Sequence, residues 1–303
     1  MIKDMPIPDE FFEAGRELLD FAWGTVFDLF TNLDQAEYFG YDKAEVTEPY
    51  WEAAKRRLST ALAIAQQGVE LLLKGKICQI SPYLLIGDES TKWPSPYKGK
   101  DISFNDFRMP DAQELIRIYD TCAGMPLSDE FRAKYHTQRE RRNVIMHSTG
   151  KNFVVHAIEV VEAVLFPYRE LFPDDSWLVH RKRFLQTAPD SELGSGDFAS
   201  NRVCLEAHIV VEQLSPSLVH KYFNIDKKQH RFYCPHCLQD ASTDEPFEHR
   251  LAVLAPKNNK SKRVYCFVCN KRHKVVRSAC SAECGSSVLD EDGTCLLCGE
   301  SDY

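Results

Sequence analysis

Apolar residues in the first 80 positions recur at intervals of three and four. Phe11, Gly15, Leu18, Leu19, Ala22 and Val26 trace one stripe, and Trp51, Ala54, Leu58, Ala61, Leu62, Ala65, Val69, Leu72 and Leu73 trace a second. That period marks a helix with one face turned to a core. The spacing predicts two long helices joined by a turn near Phe39–Val46. Pro49 is placed near the first turn of the second helix, where its missing N–H is tolerated, and Ser81-Pro82 stops that helix. After a long loop over Asp88–Asp106, Pro110 opens a short helix to about Cys122, broken by Gly124 and Pro126. Ser128 suits the N-cap of a helix through His147, and another helix spans about Phe153 to Leu171. Thr187–Ser200 is small and polar and reads as a linker, followed by a last helix or strand pair. The expected fold class is mainly α: a bundle of four or five helices, then a small module of different character.

That module is defined by its cysteines. Eight of the 11 cysteines fall near the C-terminus, in the close pairs Cys234/Cys237, Cys266/Cys269, Cys280/Cys284 and Cys295/Cys298. Two thiolates on one tight turn reach the same metal at about 2.3 Å, and two such turns complete a tetrahedron. Disulfides are the alternative, but neighbouring cysteines this close rarely bridge each other, and the N-terminus lacks the basic-then-apolar order of a secretion signal. Two structural Zn2+ ions are therefore expected. Four pairs can be grouped in three ways, and the sequential grouping is favoured. Cys234, Cys237, Cys266 and Cys269 flank Leu251–Ala255 and Arg263–Tyr265, which read as the strands of a zinc ribbon with Pro256–Lys262 as hairpin loop. Cys280, Cys284, Cys295 and Cys298 would form a smaller second ribbon. His236 and His273 could substitute as ligands, although eight thiols leave neither necessary. Cys78, Cys122 and Cys204 lie in apolar contexts and read as small core residues.

Charge divides the chain in the same place. Lys221 to Arg277 holds 13 Lys/Arg against 5 Asp/Glu, a surplus of +8, so the remainder carries −16 of the overall −8. A basic module on an acidic body suits a phosphate-bearing partner. Lys257, Lys260, Lys262, Arg263, Lys271, Arg272 and Lys274 are interleaved with Tyr265 and Phe267, on which bases can stack. Nucleic acid is favoured over protein as the partner of this stretch. No apolar run approaches the ~18 residues of a membrane span, so no membrane is expected and the cytoplasm is the expected location.

The helix Ser128–His147 carries the candidate chemistry. At about 100° per residue, His136, Glu140, Asn143 and His147 share one narrow polar wedge. Arg132, Lys134, Arg139, Arg141 and Arg142 surround it and predict a positive field. This composition suits acid–base cleavage of RNA. One group takes the 2′-OH proton, one protonates the leaving 5′ oxygen, and a fixed cation holds the charge building on phosphorus. Arg142 falls nearer Phe131, Tyr135 and Met146 than the polar wedge, so pairing with a buried acid is an alternative role for it. No Gly-rich phosphate loop and no G-x-S-x-G is found.

Arg142-Asn143-Val144-Ile145-Met146-His147 has the form R-N-x-x-x-H. It resembles the signature of the HEPN superfamily, all-α domains common in prokaryotic toxin–antitoxin, CRISPR-associated and antiphage systems. Val69-Glu70-Leu71-Leu72-Leu73-Lys74 resembles the Glu-x3-Lys stretch often seen on the second helix of that family. The resemblance covers roughly residues 1–185 and implies a metal-independent endoribonuclease that needs no catalytic cofactor and leaves a 2′,3′-cyclic phosphate. It further implies a homodimer with two motifs facing across a cleft. Arg142 would stabilise the phosphorane, His147 would move a proton or orient the phosphate, and Asn143 would position the substrate. Glu140, Glu70, Lys74 and His136 are placed near the cleft. The interval from Ser81 to Ser128 is long for a minimal domain of this kind.

The expected organisation is residues 1–186 as the helical domain, 187–230 as linker and connecting segment, and 231–303 as tandem zinc ribbons. The expected function is RNA cleavage by a toxin or antiphage effector, the ribbons holding RNA or a partner such as an antitoxin or defence complex. The alternative is a non-catalytic RNA-binding or assembly module.

Overall fold

The computed structural model describes residues 1–94, 101–147, 154–193, 197–241 and 247–301. It divides into two compact units, Met1–Pro173 and Asp174–Tyr303. The division falls ahead of residue 186, because the helix Trp177–Thr187 (α6 below) packs on a helix of the second unit.

Unit 1 is built on two antiparallel helices, α1 (Pro8–Asp34) and α2 (Lys43–Ile80). Their facing stripes bury Leu19, Ala22, Val26 and Phe27 against Leu58, Leu62, Leu72 and Leu73. Close approach is set by glycine. A Cβ on Gly68 would lie 2.8 Å from the Gly15 carbonyl oxygen, and one on Gly15 would lie 2.8 Å from Leu72 Cδ2. Away from this crossing, the Tyr50 hydroxyl donates to the Leu29 carbonyl at 2.9 Å. The second helix begins earlier than expected. Asp42 caps it by accepting from the Ala44 N–H at 2.8 Å, which leaves Pro49 inside the helix rather than in its first turn.

Among the described residues, three shorter α-helices complete the unit: α3 (Ala112–Cys122), α4 (Asp129–His147) and α5 (Ala157–Leu171). Ser128 is the N-cap of α4, its hydroxyl accepting from the Phe131 N–H at 3.1 Å. Phe153, expected to open α5, lies outside the described residues. A pair of two-residue strands, β1 (Ile2–Lys3) and β2 (Ile102–Ser103), runs parallel. Cys78 is buried as expected, but Cys122 is exposed because it ends α3 on the solvent side.

Unit 2 opens with α6 (Trp177–Thr187), α7 (Pro189–Leu193), α8 (Phe198–Gln213) and α9 (Pro216–Phe223). The expected linker over Thr187–Ser200 thus holds α7 and the start of α8, and the helix-or-strand alternative for the connecting segment after it resolves to helix. Arg181 donates twice to the buried Glu206 carboxylate, at 2.9 and 2.8 Å, and Arg202 adds a third bond at 2.9 Å. This ion cluster ties α6 to α8. The chain continues as β3 (Arg231–Phe232), α10 (Pro235–Ala241), β4 (Ala252–Leu254), β5 (Arg263–Cys266) and β6 (Lys271–Lys274). The four strands form one antiparallel sheet in chain order. The two expected ribbon strands correspond to β4 and β5, and the basic loop joins them. Beyond β6 there is no further named strand among the described residues. Single bridges pair Val276 with Leu289, Leu289 with Cys295 and Thr294 with Ser301.

Candidate functional site

Unit 1 brings two residues of the expected site together. On α2, Gln66, Glu70 and Lys74 stand four residues apart and so lie on one face. On α4, Phe131 and Tyr135 are buried aromatic anchors that stack on each other with centroids 6.1 Å apart. Arg139 and Arg142 continue that inward face by one and two turns. The Arg142 Nη2 donates to Glu70 Oε1 at 2.8 Å, with the two side chains 28% and 12% exposed. The Tyr135 hydroxyl donates to the Ala112 carbonyl at 2.9 Å, and burial raises its pKa far above the usual tyrosine value. Burial also lowers the Lys74 pKa, an effect that the nearby carboxylates of Glu70 and Asp111 partly offset.

The result is a half-buried patch with more positive than negative charge. Lys74 and Arg142 lie beside Glu70, and Arg139 joins Glu70 and Arg142 around Tyr135, while the Asp111 carboxylate is drawn to Arg108 Nη2 at 2.6 Å. The buried Nε–H groups of Arg139 and Arg142 have no acceptor among the described residues. The same holds for both amide atoms of Gln66, which is 1% exposed. Orphaned buried donors beside surplus cations are a site receptive to an anion such as phosphate. Gln66 was absent from the expected site, and Arg139 was expected only as one of the cations around the polar wedge. The four-residue spacing of Gln66, Glu70 and Lys74 within an apolar stripe was the available signal.

The positive field of α4 is narrower than its composition suggests. Arg132 pairs with Asp120 at 2.9 Å, Lys134 with Glu130 at 3.3 Å, and Arg141 with Glu159. Acids of α3, of α5 and of α4 itself thus neutralise three of the five cations, and Glu70 of α2 pairs with Arg142, which leaves Arg139 as the cation of the five with no ion pair among the described residues. His136, Glu140 and His147 are exposed, and Asn143 is half-buried. Arg142 and His147 are about 140° apart around the helix. Within one chain, the first turns to α2 and the second to solvent.

In unit 2 the eight cysteines form two groups, Cys234/Cys237/Cys266/Cys269 and Cys280/Cys284/Cys295/Cys298, each with its four sulfurs within 4.8 Å of one another. This is the sequential grouping. Closest sulfurs are 3.8 Å apart in the first group and 3.6 Å in the second. A disulfide would need about 2.05 Å, whereas four thiolates at about 2.3 Å from one ion stand about 3.8 Å from each other. Both groups can hold a tetrahedral metal ion. Left-handed backbone follows the second cysteine in three pairs, at Asn270, Gly285 and Gly299. His273 Nε2 lies 3.3 Å from Cys269 Sγ, and hydrogen bonding to Cys234 and Cys269 raises its pKa to about 9. It sits beside the first group rather than replacing a thiolate. His236 pairs with Asp240 at 3.0 Å.

The basic residues divide between faces. Directly opposed residues share a face of an antiparallel sheet, so Arg263 with Lys274 and Tyr265 with Arg272 lie together. Lys271 opposes Cys266 on the other face, and Lys257, Lys260 and Lys262 lie in the β4–β5 loop. Phe267, expected to stack on bases, is 2% exposed and packs on Phe223 with centroids 5.3 Å apart. Among the described residues no helix is long and apolar enough to cross a membrane. No protein-family model, curated protein or solved structure matches the chain.

Proposed function

We propose that the chain is a metal-independent endoribonuclease of the HEPN type, with two Zn2+ ions stabilising unit 2. The observation that carries this reading is the surplus of half-buried guanidinium N–H groups at Arg139 and Arg142 beside Glu70 and Lys74. A scissile phosphate supplies the acceptors these groups lack, and its charge rises in the transition state where arginine is most effective. Glu70 holds Arg142 in place while leaving part of its fork for the phosphate. His147 ends the same helix in an exposed position and is the proton-transfer group, with Asn143 one turn away. Because Arg142 and His147 diverge within one chain, the complete site draws on two copies. Exposed Val144 and Met146 beside this helix end offer apolar surface for such a homodimer. A toxin or antiphage role in the cytoplasm, with an antitoxin or defence complex as partner, follows from the HEPN resemblance. Four thiolates leave no open position, so zinc is structural in both sites.

The divergence of Arg142 and His147 also favours a second reading, a non-catalytic RNA-binding or assembly module in which the Glu70–Arg142 pair is structural. One experiment separates the two. Wild type and the Arg142→Ala/His147→Ala variant are incubated with mixed cellular RNA in excess EDTA, with zinc content measured before and after. Cleavage by wild type alone, with 2′,3′-cyclic phosphate ends, supports the nuclease. No cleavage by a dimeric, zinc-loaded wild type supports the second reading.

A further inference from the structure

Unit 2 contains a cavity of about 500 Å³ on the Tyr265 face of its sheet. We propose that it receives an unpaired nucleobase of single-stranded RNA, which deepens the RNA-handling reading above by assigning a base-binding site to unit 2. Its walls include Asn224, Gln229, Lys257, Tyr265, Asn270 and Arg272. The strand register places Arg231, Val253, Tyr265 and Arg272 in one row across the sheet, with Arg263 and Lys274 in the adjoining row.

Each wall group supplies one part of nucleotide recognition. Tyr265 is half-buried, and its hydroxyl donates to Asn270 Oδ1 at 2.9 Å, which fixes the ring. A fixed aromatic ring among cations is a stacking platform for any base. The Gln229 amide donates to the Leu254 carbonyl at 3.1 Å, which orients it and leaves its oxygen as an acceptor for a base edge. Arg272 is exposed and forms no ion pair among the described residues, so it is available to a phosphate. Lys257 stands at the rim, held by Asp226 at 2.7 Å. The volume lies within the ~300–1,000 Å³ usual for small-ligand pockets. A duplex keeps its base faces stacked inside, so the cavity selects single strands.

The test is fluorescence anisotropy with a labelled single-stranded 12-mer RNA of mixed sequence, with its unlabelled duplex as competitor. All proteins carry Arg142→Ala/His147→Ala, so binding is read whether or not unit 1 cleaves RNA, and each is checked for metal content. Tyr265→Ala should weaken binding about five- to a hundredfold, the range for losing one stacked base. Tyr265→Phe should bind close to the parent, because the ring remains. Arg272→Gln, a rim change that leaves the sheet intact, should weaken binding and reduce its salt dependence. Unchanged affinity in a metal-loaded Tyr265→Ala protein overturns the proposal, as does a duplex that competes as well as the single strand. Tyr265-dependent binding by a chain whose wild type cleaves nothing leaves the pocket standing and removes only the nuclease.

Discussion

Replacing Glu70 with alanine removes the carboxylate that holds Arg142. The N–O distance is 2.8 Å, which puts the charge centres about 4 Å apart. Two unit charges at that separation attract by about 4 kcal/mol at an effective dielectric of ~20. Partial burial returns roughly half of this as desolvation, leaving a coupling of about 2 kcal/mol, within the range for hydrogen bonds to charged groups. The single variants should not be equal. Glu70→Ala leaves Lys74 and Arg142 without the carboxylate they share and should cost about 3 kcal/mol. Arg142→Ala leaves Glu70 beside Lys74 and should cost about 1.5 kcal/mol. With a coupling of about 2 kcal/mol, the double variant lies about 2.5 kcal/mol below wild type. It should therefore be slightly more stable than Glu70→Ala alone. Urea unfolding followed by far-UV ellipticity measures this cycle, and hydrogen exchange of α2 and α4 amides assigns the transition to unit 1. A double variant destabilised by the full sum of the single effects would refute the reasoning, since the pair would then carry no coupling.

Lys74→Met should stabilise the protein near neutral pH. Because burial lowers the folded pKa of Lys74 below 10.5, the unfolded chain binds more protons between that lowered value and 10.5, and wild-type stability rises with pH across this window; the rise should vanish in the variant, as read by unfolding midpoints from neutral to alkaline pH. Gly68→Ala would place a methyl 2.8 Å from the Gly15 carbonyl and should cost about 1–3 kcal/mol by overpacking, seen as a lower thermal midpoint with unchanged metal content; an unchanged midpoint would mean that α1 and α2 separate freely. Cys266→Ser should reduce bound metal, measured by elemental mass spectrometry, from two equivalents to one; loss of both would show that the two cysteine groups are not independent.

Sequence patterning was most informative where one periodicity governed one element. The stripes through Leu19 and Leu72 located α1 and α2, and the cysteine spacing located both four-cysteine groups, because local geometry alone brings two thiolates of one turn together. Ser128 was legible as a cap for the same local reason. Charge neutralisation was not legible. Arg132 and Arg141 find Asp120 and Glu159 on other helices, and a helical wheel of α4 carries no record of what packs against it. Arg142 and Glu70 were recognisable separately, but their pairing across 72 positions is a tertiary fact. Phe267 was misplaced because it sits in a stretch with cations at Lys262, Arg263, Lys271 and Arg272, while its neighbour in space is Phe223. After the expected linker at Thr187–Ser200 a last helix or strand pair was left open, because small polar residues near the start of this segment masked where the apolar stripe of Val203, Ala207 and Val210 begins.

The two cysteine groups are supported unequally, and this sets the order in which unit 2 comes apart when metal is withdrawn. The first group is seated beside a four-stranded sheet that buries Ala252, Val253 and Val264, with Phe267 packing on Phe223 just beyond β5. Among the described residues the second is spanned by isolated bridges and tight turns rather than by a sheet, so more of its organisation would depend on thiolate–metal bonds. Asn270, Gly285 and Gly299 let both kinds of turn form at little backbone cost, yet among the described residues only the first group has a sheet beside it, while the second rests on buried Val288, Leu289 and Leu296, the Leu296 carbonyl accepting from the Tyr233 N–H at 2.7 Å. A chelator should therefore dissolve the segment after Val276 first, leaving a protein that keeps its Tyr265 face while its C-terminal knuckle is open to proteases.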